Sequence, residues 1–158
     1  MHVSDILAAK GDRVVSVAPT LGVSEVAGLL RRENIGAVLV NDENGAMAGI
    51  LSERDIVDGL AKHGRAVLDM PVADLMTRSV VTCQPDSNTE EIMEQILTSR
   101  IRHLPVMENG SLVGFISVAD VVKAVLSQLR WMTKVLQDHV VTAAAWSTDE
   151  EGPDEPET

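Results

Sequence analysis

An internal repeat constrains this chain more than any other feature. Residues 35–57 and 101–122 share one order of features: an apolar run, an Asn-Gly pair, a Gly-led apolar run and a Ser-x-x-Asp followed by apolar residues. The correspondence continues upstream, where residues 14–19 match residues 80–85 at an offset of 66. A chain that carries the same unit twice is expected to build a binding site in one copy and echo it in the other.

Each copy has a pattern typical of a helix-strand-helix-strand-strand-helix unit. A short apolar segment and then a segment of helical apolar spacing occur at 3–7 and 22–34 in the first copy, and at 72–76 and 88–100 in the second. Three extra residues precede the first strand of copy one. The Asn-Gly pairs at 44–45 and 109–110 favour tight turns between short strands. Because these strands are apolar on both faces, helices are expected to cover both sides.

The second copy continues into a long helix. From Val118 to about Trp146 the sequence contains neither Gly nor Pro, and apolar residues recur at helical spacing. Such a helix has apolar surface left over, which either packs on its own domain or forms a dimer contact. The residues expected at a dimer seam are Leu129, Trp131, Met132 and Leu136.

Composition excludes several classes of function. The formal net charge of −11 argues against nucleic acid and anionic membranes as main partners. Six acids and two prolines lie in residues 147–158, which predicts a disordered acidic tail. The single cysteine, Cys83, cannot form an internal disulfide, and no Cys/His metal set is present, which favours a reducing cytoplasm. No export or membrane segment is visible, so we predict a cytoplasmic protein.

The two Ser-x-x-Asp segments are the strongest candidates for binding chemistry. Ser52 and Ser117 place a hydroxyl where a strand ends, and Asp55 and Asp120 place a carboxylate in the next helical turn. The free N–H groups of a helix start attract phosphate, and an aspartate there can accept hydrogen bonds from a ribose diol. These residues therefore indicate a nucleotide site. The alternative is a capping box, in which serine and acid only satisfy the helix end.

Four cationic or titratable side chains stand near these segments. Arg102 and His103 begin an apolar strand and could hold a phosphate, or else Arg102 pairs with an acid and His103 is a core histidine. Arg54 lies inside the first Ser-x-x-Asp, and Lys10 precedes the first strand, although a solvated lysine is the default there. No nucleophile elbow, phosphate-binding loop or paired metal ligands occur, so we predict no enzyme and no metal.

With two such units in order, residues 3–127 resemble a tandem pair of cystathionine-β-synthase (CBS) domains, also called a Bateman module. The chain is similar to small stand-alone bacterial CBS proteins. The resemblance implies an α+β fold whose two repeats pack with pseudo-twofold symmetry, followed by a long C-terminal helix. The predicted divisions are 1–66 for the first repeat, 67–127 for the second, 128–146 for a helical extension and 147–158 for the tail.

The resemblance also implies two clefts that bind adenosine compounds such as AMP, ADP, ATP, NADH or S-adenosylmethionine. AMP is favoured, because few cations stand in each cleft. By this likeness Asp55 and Asp120 hold ribose while Ser52 and Ser117 contact phosphate. Ser16 and Thr82 line the adenine pockets, Ala37 and Pro105 form apolar walls, and Lys10, Arg54, Arg102 and His103 neutralise phosphate. Because Gly36-Ala37 replaces Arg102-His103 in copy one, the second cleft is expected to bind more tightly.

The implied function is an adenosine-nucleotide sensor that signals to a separate partner protein and requires no cofactor. Family members pair through their helices, so a homodimer through the CBS helices and the C-terminal helix is expected. The alternative is a ligand-free scaffold, in which the serines and aspartates only cap helices. A third hypothesis is a fragment related to nucleotide-metabolising enzymes.

Overall fold

A computed structural model of the chain describes residues 1–11 and 13–146, with side chains for residues 1–11 and 13–139. The first repeat contains α1 (Val3–Lys10), β1 (Ser16–Val17), α2 (Val23–Glu33), β2 (Ala37–Asn41), β3 (Met47–Ser52) and α3 (Glu53–His63). Short 3-10 helices at Gly64–Asp69 and Val72–Asp74 lead to α4 (Thr89–Ser99), β4 (His103–Glu108), β5 (Ser111–Ser117) and α5 (Val118–Trp146). The predicted α+β fold of two like units and a long final helix is confirmed.

The two sheets differ at one strand. In the first, β1 pairs in parallel with β2, which pairs antiparallel with β3, and Leu39 N–H donates to Val15 O at 3.1 Å. In the second, β4 pairs with β5, but the expected strand at 80–85 is reduced to a single bridge from Cys83 to Val106. Pro105 stands where Leu39 stands in the first repeat, and a proline has no N–H to donate. The missing donor explains the shorter pairing.

The predicted tight turns are confirmed. Gly45 and Gly110 have φ of 81° and 78°, a region that glycine enters without the clash that a side chain would cause. Each turn joins two antiparallel strands of one repeat, β2 to β3 and β4 to β5. The turns therefore fix the register that carries Ser52 and Ser117 to the ends of their strands.

The leading segment of each repeat packs into the core of the other. In α1, Val3 and Ile6 are buried with Ile92 and Leu104 of the second repeat. Conversely, residues 72–76 contribute Val72 and Met76 to the core of the first repeat. A backbone hydrogen bond holds each exchanged segment to the opposite repeat. The N–H of residue 3 donates to the carbonyl of residue 87 at 3.0 Å, and the N–H of residue 72 donates to the carbonyl of residue 21 at 2.8 Å. The predicted boundary between the repeats, at residues 66 and 67, stays a prediction. Each of the two cores contains residues from both sides of that boundary.

Two glycines allow this close approach. A Cβ added at Gly114 would lie 2.6 Å from Leu7 Cδ2, and one added at Gly49 would lie 2.8 Å from both Met76 Sδ and Thr77 O. Both glycines begin the Gly-led apolar runs of the repeat. They leave the room in which the exchanged segments sit beside β3 and β5.

The long final helix leaves the body of the protein after its first two turns. Val121 is fully buried and Val125 is half-buried, whereas five large apolar side chains further along are 47% to 66% exposed. These are Leu126, Leu129, Trp131, Met132 and Leu136. Packing on its own domain therefore does not cover this surface, and the dimer contact stays a prediction. The acidic tail at 147–158 lies outside the described residues.

Candidate functional site

The first Ser-x-x-Asp motif caps a helix and presents a carboxylate beside a cavity. Asp55 Oδ2 accepts hydrogen bonds from the N–H and the Oγ of Ser52, both at 2.7 Å, while Ser52 Oγ accepts from Asp55 N–H at 3.4 Å. Asp55 Oδ1 lies 3.4 Å from the Thr77 hydroxyl. Ser52 and Asp55 therefore form a capping box at the start of α3, and their part in nucleotide binding stays a prediction. In this arrangement the Ser52 hydroxyl donates to Asp55, and the contact of Ser52 with a phosphate stays a prediction.

The second motif repeats this geometry but has a cation in contact. Asp120 Oδ2 accepts from the N–H and the Oγ of Ser117, both at 2.8 Å. The same oxygen lies 2.6 Å from Lys10 Nζ, which also donates to Phe115 O at 2.8 Å. Lys10 is the last residue of α1, so the exchanged helix carries this ammonium group to the motif.

The carboxyl of Asp120 is held in its charged form by these donors. Its burial raises the pKa, but hydrogen bonds from Lys10 and Ser117 outweigh that effect, and the pKa lies below the ordinary 3.8. The ion pair is partly open to solvent, with side-chain exposures of 34% for Lys10 and 23% for Asp120. Solvent screening therefore limits its strength to about 1 kcal/mol.

A cavity of about 220 Å³ lies beside Asp55 and joins the two repeats; we call it the first cleft. Gly36 and three stretches line it: the start of α3 with the end of β3, the linker that follows residues 72–76, and the residues that enter β4. Its lining residues are Gly36, Ile50, Ser52, Glu53, Arg54, Asp55, Thr77, Ser79, Val80, Val81, Arg100, Ile101, Arg102 and His103. We call the surroundings of Asp120 and Lys10 the second cleft.

Arg102 and His103 therefore line the first cleft, with the motif of the opposite repeat. The expectation that both strengthen the second cleft does not match their position on the first, although His103 also lies near Lys10 and Asp120 of the second cleft. The physical reason is the pseudo-twofold packing, which brings the start of β4 against Gly36 and the first motif. A Cβ added at Gly36 would lie 3.1 Å from both Cε1 and Nε2 of His103.

The first cleft has more cationic than anionic side chains. Arg54, Arg100 and Arg102 line it together with two carboxylates, those of Glu53 and Asp55. Arg54 donates to the carbonyl of Arg100 at 3.1 Å, so α3 of one repeat contacts the end of α4 of the other. Guanidinium groups bind phosphate in a bidentate manner, and a net positive lining favours an anionic ligand.

His103 lies between the two motifs as a neutral ring. Burial and the nearby charges of Lys10 and Arg102 lower its pKa from 6.5, although Asp120 and Glu53 oppose the shift. The ring stacks on Phe115 with centroids 5.7 Å apart and an interplanar angle of 26°. At neutral pH it is therefore a hydrogen-bonding group at the cleft and does not add a positive charge.

The residues expected at the base pockets are not among the lining residues of the described cavities. Ala37 and Pro105 are buried in β2 and β4, Ser16 is exposed on β1, and Thr82 follows the lining residue Val81. None of the four lines the first cleft or the groove described below. Their roles at a base stay predictions.

Sequence reasoning missed several lining residues. Thr77 and Ser79 lie in the linker between residues 72–76 and the rest of the second repeat, where the matching part of copy one has another length and composition. Arg100 ends α4 in the left-handed region, with φ of 54°, as Asn34 ends α2. The signal available for Arg100 was its position at the helix end. A signal for the linker was its polar residues between two apolar runs.

A groove of about 530 Å³ runs between α1 and α5 behind the second motif. Its lining residues are Met1, Asp5, Ile6, Ala9, Lys10, Asp120, Lys123, Ala124, Ser127 and Gln128. The Lys10–Asp120 pair thus lies in its wall. Among the described residues, no group of three or more His, Cys, Asp or Glu is arranged to hold a metal ion.

Comparison with known proteins identifies the class. Residues 3–62 and 72–127 match the family model of the CBS domain. The chain belongs to the CBS domain family and carries two copies, which confirms the resemblance seen in the sequence. CBS-domain pairs are typically regulatory modules. Within the described residues, no helix combines the length and the hydropathy that a membrane crossing needs.

Three similar proteins illustrate the match. The CBS-domain containing protein ATU1752 from Agrobacterium tumefaciens is 47% identical with a TM-score of 0.77, over 78% of this chain and 92% of that one. The CBS domain-containing protein YhcV of Bacillus subtilis is 31% identical over 68% of this chain and 76% of its own length. The CBS pair of MJ0100, in complex with 5′-methylthioadenosine and S-adenosyl-L-methionine, shares the fold at 23% identity and a TM-score of 0.71, over 81% and 98%.

Proposed function

We propose that this protein is an adenosine-nucleotide sensor whose principal site is the first cleft, with AMP as the favoured ligand. The observation that carries the proposal is the combination there of an oriented carboxylate, Asp55, with three arginines around one cavity. A diol acceptor and a phosphate-binding cluster at one place match the two ends of a nucleotide sugar phosphate.

The walls of the first cleft suit a base. Ile50, Val80, Val81 and Ile101 give it apolar surface between the polar ends. Ligand sites typically have such a lining with a few polar groups that set orientation. At about 220 Å³ the cavity is small for a ligand site, which favours a mononucleotide over a dinucleotide. The adenosine ligands of MJ0100, a protein of the same fold, support adenosine as the class.

A ligand in the first cleft would contact both repeats. Its diol would meet Asp55 of the first repeat, while its phosphate would meet Arg102 and Arg100 at the start of β4 and the end of α4 in the second. Binding then favours one relative placement of the repeats over others, and a separate partner protein can respond to that shift. The size of the response is limited by the ligand's differential affinity for the two placements.

Thermal unfolding with added nucleotides tests the proposal. We expect AMP, ADP, ATP, NADH or S-adenosylmethionine at millimolar concentration to raise the melting temperature, and GTP to leave it unchanged. A ligand at 100 times its Kd adds about 2.7 kcal/mol to the free energy of unfolding. Asp55→Asn should abolish the shift, while Asp58→Asn, an exposed carboxylate one turn further along α3, should retain it. A full shift in Asp55→Asn contradicts the proposal.

A second candidate function, an interaction scaffold, rests on the exposed face of α5. Leu126, Leu129, Met132 and Leu136 recur at helical spacing and are 47% to 65% exposed. Trp131 lies about 160° around the helix from Leu129, so it belongs to the opposite face. An isolated helix is marginal in water, and a second copy of α5 would bury this face. The proposed assembly is a homodimer.

Sedimentation equilibrium tests the dimer. We expect Leu129→Glu to shift the protein towards the monomer. Ser127→Glu adds the same charge to the other face of the helix and should leave the dimer intact. If both variants and the unchanged protein are monomers, the scaffold has no support from this helix.

A further inference from the structure

We infer that Lys10 competes with nucleotide for Asp120, so that the two clefts fill in order, the first cleft before the second. This inference rests on the proposed function, because it concerns which of the two motifs takes the nucleotide. It reverses the order expected from the sequence, in which the second cleft binds more tightly.

The competing contact lies on the carboxylate that a ribose would use. Asp120 Oδ2 accepts from Lys10 Nζ at 2.6 Å in addition to its two bonds from Ser117. Asp55 has the matching bonds from its serine, and its further neighbour is the uncharged hydroxyl of Thr77. Both motifs therefore present a carboxylate as acceptor. The charge of Asp120 is neutralised by Lys10, whereas that of Asp55 is not neutralised by its neighbour Thr77.

Lys10 also takes the place of a backbone hydrogen-bond partner beside the second motif. Beside the first motif, Ile50 and Thr77 exchange backbone hydrogen bonds of 3.0 and 2.9 Å. Beside the second, Phe115 holds the position of Ile50, and its carbonyl accepts from Lys10 Nζ at 2.8 Å. The lysine thus satisfies two acceptors at once, and a ligand that displaces it leaves both to be satisfied again.

The position of Lys10 is fixed by the helix that carries it. Val3 and Ile6 of α1 are buried in the second core, and Leu7 lies against Gly114. The end of α1 is therefore anchored one turn before the lysine, and only the side chain is free to leave. For Lys10 to bind a phosphate instead, it must first give up both of its contacts.

Two effects then make nucleotide binding stronger at the first cleft than at the second. Hydrogen bonds to a charged carboxylate are about twice as strong as those to neutral groups. The Lys10 ammonium group paired with Asp120 removes that advantage for a ribose diol. The arginines at 54, 100 and 102 all line the first cleft. Because the Lys10–Asp120 pair is partly exposed, we expect its removal to strengthen nucleotide binding at the second cleft by about fivefold.

Calorimetric titration with AMP tests the order. We expect the unchanged protein to bind one AMP per chain at low concentration. Asp55→Asn should remove this event, and Asp120→Asn should retain it. Lys10→Met should strengthen a second event by about fivefold. Lys123→Met is the matched control, because Lys123 lines the groove beside Lys10 but contacts neither Asp120 nor Phe115 in the described hydrogen bonds.

Each other outcome overturns a stated part. If the first event is lost in Asp120→Asn and kept in Asp55→Asn, the second cleft fills first, and both the inference and the placement of the principal site in the first cleft are wrong. If Lys10→Met weakens binding, Lys10 is a ligand group, and the inference is wrong while the proposed function stands. If Lys123→Met gives the same gain as Lys10→Met, general charge and not the ion pair is responsible. If no variant binds any adenosine compound, the proposed function fails and the inference fails with it.

Discussion

The two Ser-x-x-Asp motifs have the same internal geometry and different neighbours. Serine to aspartate distances differ by no more than 0.1 Å between them. Yet one carboxylate faces Thr77 and three arginines line its cavity, while the other is paired with Lys10. Repetition of sequence thus reproduces a local cap, whereas the charge around it is set by segments that do not repeat.

The largest expected effect tests whether the two cores are equivalent. Leu51 and Ile116 hold matching positions in β3 and β5, and both are fully buried. Truncation of either residue to alanine removes buried apolar surface and leaves a cavity, so Leu51→Ala and Ile116→Ala should each cost about 2–5 kcal/mol. Urea denaturation measures both. A cost confined to one variant would show that the repeats contribute unequally to one cooperative fold.

The next effect separates the two aspartates without ligand. Asp120→Asn removes the partner of Lys10, so it should lower the free energy of unfolding by about 1 kcal/mol more than Asp55→Asn does. Because the pKa of Asp120 is lowered in the fold, its contribution is present above the unfolded pKa near 3.8 and is lost as the pH falls. Denaturation at pH 7 and pH 3 measures this. Equal costs at both pH values would contradict the ion pair.

A smaller effect concerns His103, which lies between the motifs. Its pKa is below 6.5 in the fold, so the unfolded chain binds the proton first as the pH falls. Stability should therefore be complete above about pH 6.5 and decline below it. His103→Gln should flatten the decline between pH 6.5 and pH 5. An unchanged slope in this variant would assign the decline to other groups.

The smallest effect tests the unequal first strands. Pro105→Ala supplies the N–H that Leu39 uses in the other repeat to bond Val15. A new backbone bond contributes about 1 kcal/mol, and the freer unfolded chain offsets much of it, so the net change in stability should be small. Hydrogen exchange should show a protected amide at position 105. A freely exchanging amide there would mean that the missing donor is not what shortens the strand.

The sequence was sufficient for the elements that each repeat builds locally. The apolar spacing, the Asn-Gly turns and the serine caps predicted the helices, hairpins and helix starts, because each depends on neighbouring residues. It was not sufficient for contacts between repeats. Arg102 and Asp55 line the same cavity only through the packing of one unit on the other, and no local pattern records that packing.

One signal for Lys10 was present in the sequence. Three extra residues precede the first strand of copy one, and in the structure α1 continues to Lys10 while its counterpart is a single 3-10 turn at Val72–Asp74. A longer leading helix reaches further along the opposite repeat. The insertion could have predicted an unequal contact, although its partner, Asp120, is 110 residues away.

The exchanged leading segments give the chain the topology of a domain-swapped dimer joined into one polypeptide. Each half lacks part of its own interior and holds the missing part of the other. Proteolytic cleavage between the repeats, near Gly64–Asp69, is therefore expected to yield two fragments that remain associated under native conditions. Loss of α1 should damage the C-terminal half, although α1 belongs to the N-terminal half of the sequence.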